Sequence, residues 1–113
     1  MEHLISWADF EHVDLRVGTV LKIDDFPKAK NPAYQLTIDF GAEIGILRSS
    51  AQITAIYQKE ELIGKQVVAV VNFPKKQIAN FMSECLVTGF ENEQGEIVIT
   101  TVERTVPNGA RLK

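Results

Sequence analysis

The chain has 113 residues, of which 45% are hydrophobic and 24% charged, and its net charge is −3 at pH 7. This composition is typical of a soluble globular protein with a single domain over residues 1–113, and it excludes a disordered chain. No apolar run approaches the ~20 residues of a membrane-spanning helix, and the amino-terminal residues lack the features of a signal peptide, so we expect a cytoplasmic protein. The mild acidity argues against a strongly basic nucleic-acid binder, although the positive charge is concentrated in the middle of the chain.

Residues that commonly bind metals or form cross-links are scarce. Cys85 is the only cysteine, which excludes an internal disulfide and a cysteine metal cluster. His3 and His12 are the only histidines, which excludes the usual zinc spacings. We therefore expect no metal and no cofactor, and we expect stability to depend on packing.

The predicted elements begin with a short helix and a long strand. Ser6 can cap the helix, with Asp9 completing a capping box, and so short a helix must lie against the sheet or a partner. The strand covers residues 15–23, and Gly18 inside it suggests the bend or bulge needed to close a barrel. Alternation places four side chains on one face of this strand: Leu15, Val17, Leu21 and Ile23.

A hairpin, a helical connection and a buried strand are predicted next. A loop over residues 25–32 leads into paired strands at 34–40 and 44–48. Ser49 or Ser50 is expected to cap the helical connection, which runs on to a glycine before the next strand. The apolar run that follows, at residues 67–71, predicts a fourth strand buried on both faces.

An insert of mixed character, residues 72–86 with the sequence NFPKKQIANFMSECL, follows the fourth strand. Charged and aromatic side chains placed together between two buried strands indicate a binding surface held by a rigid sheet. The chain then continues with strands at 85–90 and 96–102, a turn at 106–109 and a short tail.

The order of elements is three strands, a helical connection, two strands and an appended hairpin strand. It is the layout of the all-β OB-fold, a five-stranded Greek-key barrel that typically binds oligonucleotides or oligosaccharides on one face. The spacing alone would also fit an SH3-like barrel or a small sandwich.

Eight short motifs stand in a fixed order along the chain. They are DLRVGTV, FPKAKNPA, IDFG, EIGI, SSAQIT, VVNFP, SE-x-LV and VPNG, which begin at residues 14, 26, 38, 43, 49, 70, 83 and 106. With these motifs the chain resembles the tRNA-binding-domain family, and within it the free-standing CsaA-type members. The resemblance implies an OB-fold barrel with an amino-terminal helix, no catalytic centre, and a homodimer built from the chain ends at about residues 1–13 and 91–113.

Two functions follow from the resemblance. CsaA-type dimers are linked to unfolded or pre-secretory polypeptides and to the secretion machinery, which predicts a non-catalytic homodimeric chaperone. Related modules fused to aminoacyl-tRNA synthetases bind tRNA, so a module that recognises tRNA by its backbone and shape is the alternative. Ser83 lies beside Glu84, but no histidine or lysine is placed by sequence to activate it, so we do not expect an enzyme.

The predicted ligand-binding surface, for peptide or RNA, combines cationic, polar and apolar side chains. Ser49 is equally well explained as a helix cap and Asn72 as a cap of its own turn. Within the insert, Ile78 is predicted to point inward, whereas Phe81 and Met82 are predicted to lie near the surface. The full set is Lys28, Lys30, Arg48, Ser49, Gln52, Asn72, Phe73, Pro74, Lys75, Lys76, Phe81, Met82, Ser83 and Glu84.

The predicted dimer surface lies at the chain ends. An exposed sixth strand would be an aggregation hazard in a monomer, and covering it in a twofold dimer removes that hazard. The residues predicted for this surface are Trp7, Phe10, Ile97, Val98, Ile99, Val106 and Pro107.

Overall fold

A computed structural model describes residues 3–113; Met1 and Glu2, which belong to the predicted dimer extension, lie outside the described residues. Within residues 3–113, no helix is long and apolar enough to cross a membrane. The elements are α1 (Trp7–Glu11), β1 (Leu15–Asp25), β2 (Tyr34–Asp39), α2 (Gly41–Ile44), β3 (Ile46–Ala51), α3 (Lys59–Leu62), β4 (Gln66–Val70), β5 (Lys76–Ile78), β6 (Phe81–Ser83), β7 (Leu86–Val87), β8 (Gly89–Glu91) and β9 (Ile97–Ile99).

Five strands form one antiparallel sheet in the order β3-β2-β1-β4-β7. The first half of the long strand β1 pairs with β4, whereas its second half pairs with β2. A strand shared in this way curls the sheet, so that its edge strands β3 and β7 approach each other. At this junction the N–H of Glu84 donates to the carbonyl of Arg48 over 2.7 Å. The predicted all-β barrel with the strand order of an OB-fold is therefore confirmed.

A bulge in β1 changes which of its side chains enter the core. The pairing of β1 with β2 shifts register between Val20 and Lys22. Val20 is consequently 1% exposed, whereas Leu21 is 45% exposed, so the prediction that Leu21 shares the inward face was wrong. The bulge lies just beyond Gly18, where a Cβ atom would come within 2.6 Å of Ile38.

The connection between β3 and β4 is less helical than predicted. Ser49 and Ser50 lie within β3, because pairing with β2 keeps the chain extended as far as Ala51. Neither serine caps a helix. The single turn of α3 begins later and is capped by Gln58, whose N–H donates to the Glu61 carboxylate over 2.8 Å.

The predicted fifth and sixth strands are shorter than expected. The chain forms β7, breaks at Thr88 and then forms β8. The Thr88 N–H still donates to the Val68 carbonyl, but the Thr88 carbonyl and the Val68 N–H are both bound to Thr100. β8 pairs with β9 as a separate hairpin, whose turn is closed by a 3.0 Å bond from Gly95 N–H to the Asn92 carbonyl. The predicted appended hairpin is thus present, but it stands apart from the five-stranded sheet.

The two chain ends meet at the start of β1. The predicted capping box of α1 is confirmed, since the side chains of Ser6 and Asp9 each accept a bond from the other's backbone. The tail runs beside β1, where Val17 N–H donates to Ala110 over 3.0 Å and Leu112 N–H donates back to β1 over 2.9 Å. Arg111 joins the two ends by donating to the Glu11 carbonyl over 2.6 Å.

Candidate ligand-binding groove

The insert folds as a hairpin of β5 and β6 outside the barrel sheet. Its turn uses Ala79, whose φ of 52° lies in the left-handed region that few non-glycine residues adopt. The side chain of Gln77 donates to the Ala79 carbonyl over 2.8 Å and so holds this turn. The hairpin thus has its own local hydrogen bonds as well as its packing on the barrel.

A small second core fixes the hairpin to the barrel. Phe81 is 3% exposed and packs against Phe26, with ring centroids 5.4 Å apart. Ile78 packs on the same cluster, as predicted, and Met82 is 43% exposed, as predicted. The prediction that Phe81 lies near the surface was wrong, because the loop before β2 supplies Phe26 as a buried partner.

Arg48 lies on top of this second core. Its guanidinium carbon stands 4.4 Å from the centroid of the Phe81 ring, a favourable cation–π arrangement. Its Nη2 also donates to Gln35 Oε1 over 3.4 Å. Phe81 therefore does not contact solvent itself but holds a cation at the surface.

Side chains of the insert accept hydrogen bonds from backbone N–H groups at the edge of β3, in the place of a neighbouring strand. The Arg48 N–H donates to Glu84 Oε1 over 3.0 Å, and the Ser50 N–H donates to Ser83 Oγ over 3.1 Å. Ser49 is completely buried, and its hydroxyl donates to the Cys85 carbonyl over 2.9 Å. The prediction of Ser49 as a ligand contact was therefore wrong, and Ser83 and Glu84 have structural partners.

Asn72 ties the end of β4 to the segment after α1. Its Nδ2 donates to the His12 carbonyl over 2.8 Å, and its Oδ1 accepts the Asp14 N–H over 3.1 Å. Both polar groups of the amide are therefore bound within the chain. They hold the segment after α1 rather than the turn of Asn72 itself.

An open groove of about 380 Å³ lies between β3 and the insert. We call it the insert groove. Several of the predicted site residues meet there, and Phe73 is 54% exposed at its rim. The lining is Ser50, Gln52, Phe73, Pro74, Lys76, Ile78, Ser83, Glu84, Cys85 and Leu86. Leu86 was missed from the sequence, because only the approach of β3 to β7 brings it beside Ser50.

Charges around the insert groove are of both signs. Lys75 Nζ lies 3.4 Å from Glu84 Oε2, but an exposed pair of this kind contributes little. Within residues 3–113, Lys76 has no carboxylate within 4.0 Å. Lys28 and Lys30 are exposed on the loop that supplies Phe26, so they lie on the insert side of the barrel without lining the groove.

A second groove of about 390 Å³ continues from the first, and we call it the strand groove. The two grooves share Ser50, Gln52 and Leu86. The other residues that line the strand groove are mostly apolar: Ala51, Ile53, Val87, Thr88, Gly89 and Ile97. Ile97, which was predicted for the dimer surface, therefore lines this groove.

Cys85 lies in the floor of the insert groove. Desolvation by burial raises the pKa of its thiol to about 12, although a hydrogen bond with Ser49 opposes the shift. A thiol with so high a pKa is almost entirely protonated near neutral pH and is a poor nucleophile. Its position is that of a buried small hydrophobe, as expected from the sequence.

A third, mostly apolar cavity of about 580 Å³ lies between the start of β1, the tail and β8. We call it the chain-end face. Phe90, which the sequence did not single out, is 72% exposed on it, and Val106 lines it. Trp7 is 64% exposed close to the tail and packs against Phe10, with tilted rings whose centroids are 5.2 Å apart. The other lining residues are Leu15, Arg16, Val17, Val68, Thr88, Gly89, Thr100, Thr101, Val102, Ala110, Arg111, Leu112 and Lys113.

The β8–β9 hairpin contributes less to this face than predicted. Ile99 is 8% exposed and belongs to the barrel core, so its prediction as a dimer contact was wrong. Its N–H donates to the Tyr57 hydroxyl over 3.0 Å, which holds the strand against the barrel. Val98, on the opposite side of β9, is 41% exposed, and Pro107 is exposed in the turn before the tail.

Sequence and structural similarity to other proteins extends along nearly the whole chain. Residues 15–111 match a family described as "Putative tRNA binding domain". The chaperone CsaA from Bacillus anthracis str. Ames is 47% identical with a TM-score of 0.90, over 98% of this chain and 100% of that one. The CsaA chaperone protein from Picrophilus torridus is also 47% identical with a TM-score of 0.90, over 97% of this chain and 100% of that one.

A curated relative is much longer than this chain. The methionine–tRNA ligase of Parabacteroides distasonis is 36% identical over 109 residues, which is 96% of this chain. The matched part is 16% of that ligase.

Proposed function

This chain belongs to the tRNA-binding-domain family, and we propose that it is a non-catalytic, homodimeric chaperone of the CsaA type that binds unfolded or pre-secretory polypeptides. The observation on which the proposal depends is the insert groove, where exposed apolar side chains lie beside charges of both signs. The similarity to two CsaA chaperones over their entire lengths supports it.

The groove has the chemistry that an unfolded polypeptide needs. Phe73, Pro74 and Leu86 form an apolar wall. Client side chains that pack on this wall are stabilised by about 25 cal/mol for each Å² of apolar surface that they remove from water. Gln52 and Lys76 add polar and charged contacts at the same wall. A few such contacts per site give weak, reversible binding, which suits a chaperone.

The chain-end face supports the homodimer. Exposed Phe90 and Leu112 line this mostly apolar face, and exposed Trp7 lies beside Leu112 at its margin. Exposed apolar patches usually mark an interaction surface. A twofold axis would place the same patch of each chain on the other. The dimer would then present two insert grooves, and a client that spans both gains affinity through effective concentration.

In the same proposal, the protein acts in the cytoplasm, where it would hold pre-secretory polypeptides for the secretion machinery. No cofactor is required for this function. Reversible binding allows the client to be passed on.

A second candidate function is tRNA binding by backbone and shape, and the cations near the insert favour it. Arg48 is held over Phe81, and Lys28, Lys30 and Lys76 have no ion-pair partner within residues 3–113. Exposed Phe73 could stack on a base. The family description and the similarity to a methionine–tRNA ligase support this candidate as well.

Titration with tRNA and with an unfolded presequence peptide, each at 50 and 200 mM salt, separates the two candidates. We expect measurable peptide binding that changes little with salt, because few charges are neutralised. A tRNA bound through four of its phosphates would lose roughly 100-fold in affinity over the same range. Tight tRNA binding that weakens steeply with salt, together with no peptide binding, would contradict the chaperone proposal.

A matched pair of lysine variants localises the site. Lys76→Gln removes a charge from the groove, whereas Lys65→Gln removes the same charge from the opposite end of β4. We expect only the first variant to weaken binding of an acidic peptide. Equal effects of the two variants would place the ligand elsewhere.

A further inference from the structure

The edge of β3 that faces the insert is only partly closed. Within a strand, the N–H and the C=O of one residue point to the same side. Both groups of Arg48 are bound to Glu84, and the N–H of Ser50 is bound to Ser83 Oγ. The insert therefore satisfies three consecutive edge groups on this side of β3, from the Arg48 N–H to the Ser50 N–H.

The next two edge groups have no partner. The Ser50 carbonyl points to the same side as the Ser50 N–H, and the Gln52 N–H follows on that side because Ala51 pairs with Tyr34 on the other. Within residues 3–113, neither the Ser50 C=O nor the Gln52 N–H makes a hydrogen bond. An acceptor and a donor are thus left in sequence along a strand edge.

These two groups lie where the grooves meet. Ser50 and Gln52 line both the insert groove and the strand groove, together with Leu86. Apolar side chains stand on either side, with Phe73 and Pro74 in one groove and Ile53 in the other. An unpaired strand edge flanked by apolar pockets is the arrangement through which other proteins bind extended peptides.

We propose that a client polypeptide binds by β-augmentation, as an added strand on the β3 edge; this inference rests on the proposed chaperone function and names its binding mode. A client N–H donates to the Ser50 carbonyl, and a client carbonyl accepts the Gln52 N–H. Alternate client side chains then lie in the insert groove and the strand groove, since neighbouring side chains of a strand point in opposite directions.

This binding mode explains how one site accepts clients of unrelated sequence. The backbone groups of every polypeptide are the same, so main-chain bonds provide affinity without selecting a sequence. Each groove has a volume of about 380–390 Å³, which lies in the usual range for ligand pockets. Lys76 and Glu84 in the lining complement a chain with charges of both signs.

The first test compares two substitutions at Gln52. Gln52→Pro removes the N–H together with the side chain, whereas Gln52→Ala removes only the side chain. The preceding residue, Ala51, is already extended, as proline requires. We expect the proline variant to bind an unfolded peptide about tenfold more weakly than the alanine variant, through the loss of one hydrogen bond in an apolar site. Equal affinities would overturn the proposal.

The second test leaves the protein unchanged, so it holds even if the proline variant does not fold. Single N-methyl groups are placed at successive positions of a binding peptide. Each methyl group removes one client N–H, so we expect a loss of about tenfold at the one position whose N–H donates to the Ser50 carbonyl and little change at its neighbours. Uniform tolerance to methylation would overturn β-augmentation.

The outcomes distinguish the binding mode from the function. Peptide binding by the wild type with no effect of proline or methylation overturns the binding mode and leaves the chaperone proposal standing. Absence of peptide binding by the wild type overturns both. Binding of tRNA alone, with equal affinity for both Gln52 variants, also counts against the strand edge as a client site.

Discussion

The insert groove and the chain-end face are lined by different residues and differ in their chemistry. The insert groove is lined by a mixture of apolar, polar and charged residues, and an unpaired strand edge opens into it. The chain-end face is wider and mostly apolar, and Phe90 stands exposed on it. A surface of the first kind suits varied partners, whereas one of the second kind suits a single partner of fixed shape. The insert groove shares no lining residue with the chain-end face, whereas the strand groove meets that face at Thr88 and Gly89.

Two phenylalanines nine positions apart make the contrast testable. Phe81 is 3% exposed beneath Arg48, whereas Phe90 is 72% exposed on the chain-end face. They share a residue type, but only the first is part of a core. Substitutions at the two positions should therefore have effects of different kinds.

The largest expected effect is that of Phe81→Ala. The substitution leaves a cavity under the insert hairpin and removes the ring on which Arg48 lies. We expect the free energy of unfolding to fall by about 3–5 kcal/mol, measured by urea denaturation. A loss below about 1 kcal/mol would mean that the second core does not hold the insert.

Phe90→Ser should break the proposed dimer and leave the groove intact. A central aromatic residue of an interface commonly contributes about 2 kcal/mol or more, so the dissociation constant should rise at least roughly 30-fold in sedimentation equilibrium. The matched variant Phe73→Ser, at another exposed phenylalanine, should keep the dimer and weaken peptide binding. If both variants affect both properties, the two surfaces are not independent.

Ser49→Ala tests the closure of the barrel behind the insert groove. The Ser49 hydroxyl is completely buried and donates to the Cys85 carbonyl, so its removal leaves a buried acceptor without its partner. We expect a loss of about 1–3 kcal/mol in the free energy of unfolding. The neighbouring variant Ser50→Ala, whose hydroxyl makes no hydrogen bond within residues 3–113, should change stability by no more than about 0.5 kcal/mol.

The smallest effect near neutral pH is expected from Cys85, because the titration of its thiol changes stability only above pH 9. Its pKa is raised from 9.0 to about 12 in the folded chain, so the unfolded chain loses its proton first as pH rises. The stability that this thiol contributes is therefore complete below pH 9 and is lost progressively toward pH 12, by at most about 1.4 kcal/mol per pH unit. Chemical denaturation of the wild type and Cys85→Ala should diverge above pH 9. Parallel curves would contradict the burial of the thiol.

Strict patterns in the sequence predicted the barrel strands well. β2 alternates without interruption, and β4 is a continuous apolar run, so both were placed within one or two residues of their observed bounds. The capping box of α1 was equally local and equally clear. Features that depend on a few neighbouring residues could be predicted because no distant contact overrides them.

Features that depend on distant contacts could not be predicted. The position of Leu21 depends on a bulge set by pairing with β2, and the burial of Phe81 depends on Phe26 in a separate loop. Ser49 has the same local sequence signature as a helix cap, but β3 extends past it. The groove itself forms only where β3 meets the insert, so its lining could be identified only in part.

Native mass spectrometry of the protein with a short unfolded presequence peptide tests the separation of the two surfaces most directly. The two-surface account predicts a complex of two chains with two peptides, because each chain keeps its own groove when the chain-end faces are joined. Two chains with a single peptide would place the client at the interface between copies. A single chain with one peptide would show that the chain-end face does not join two copies.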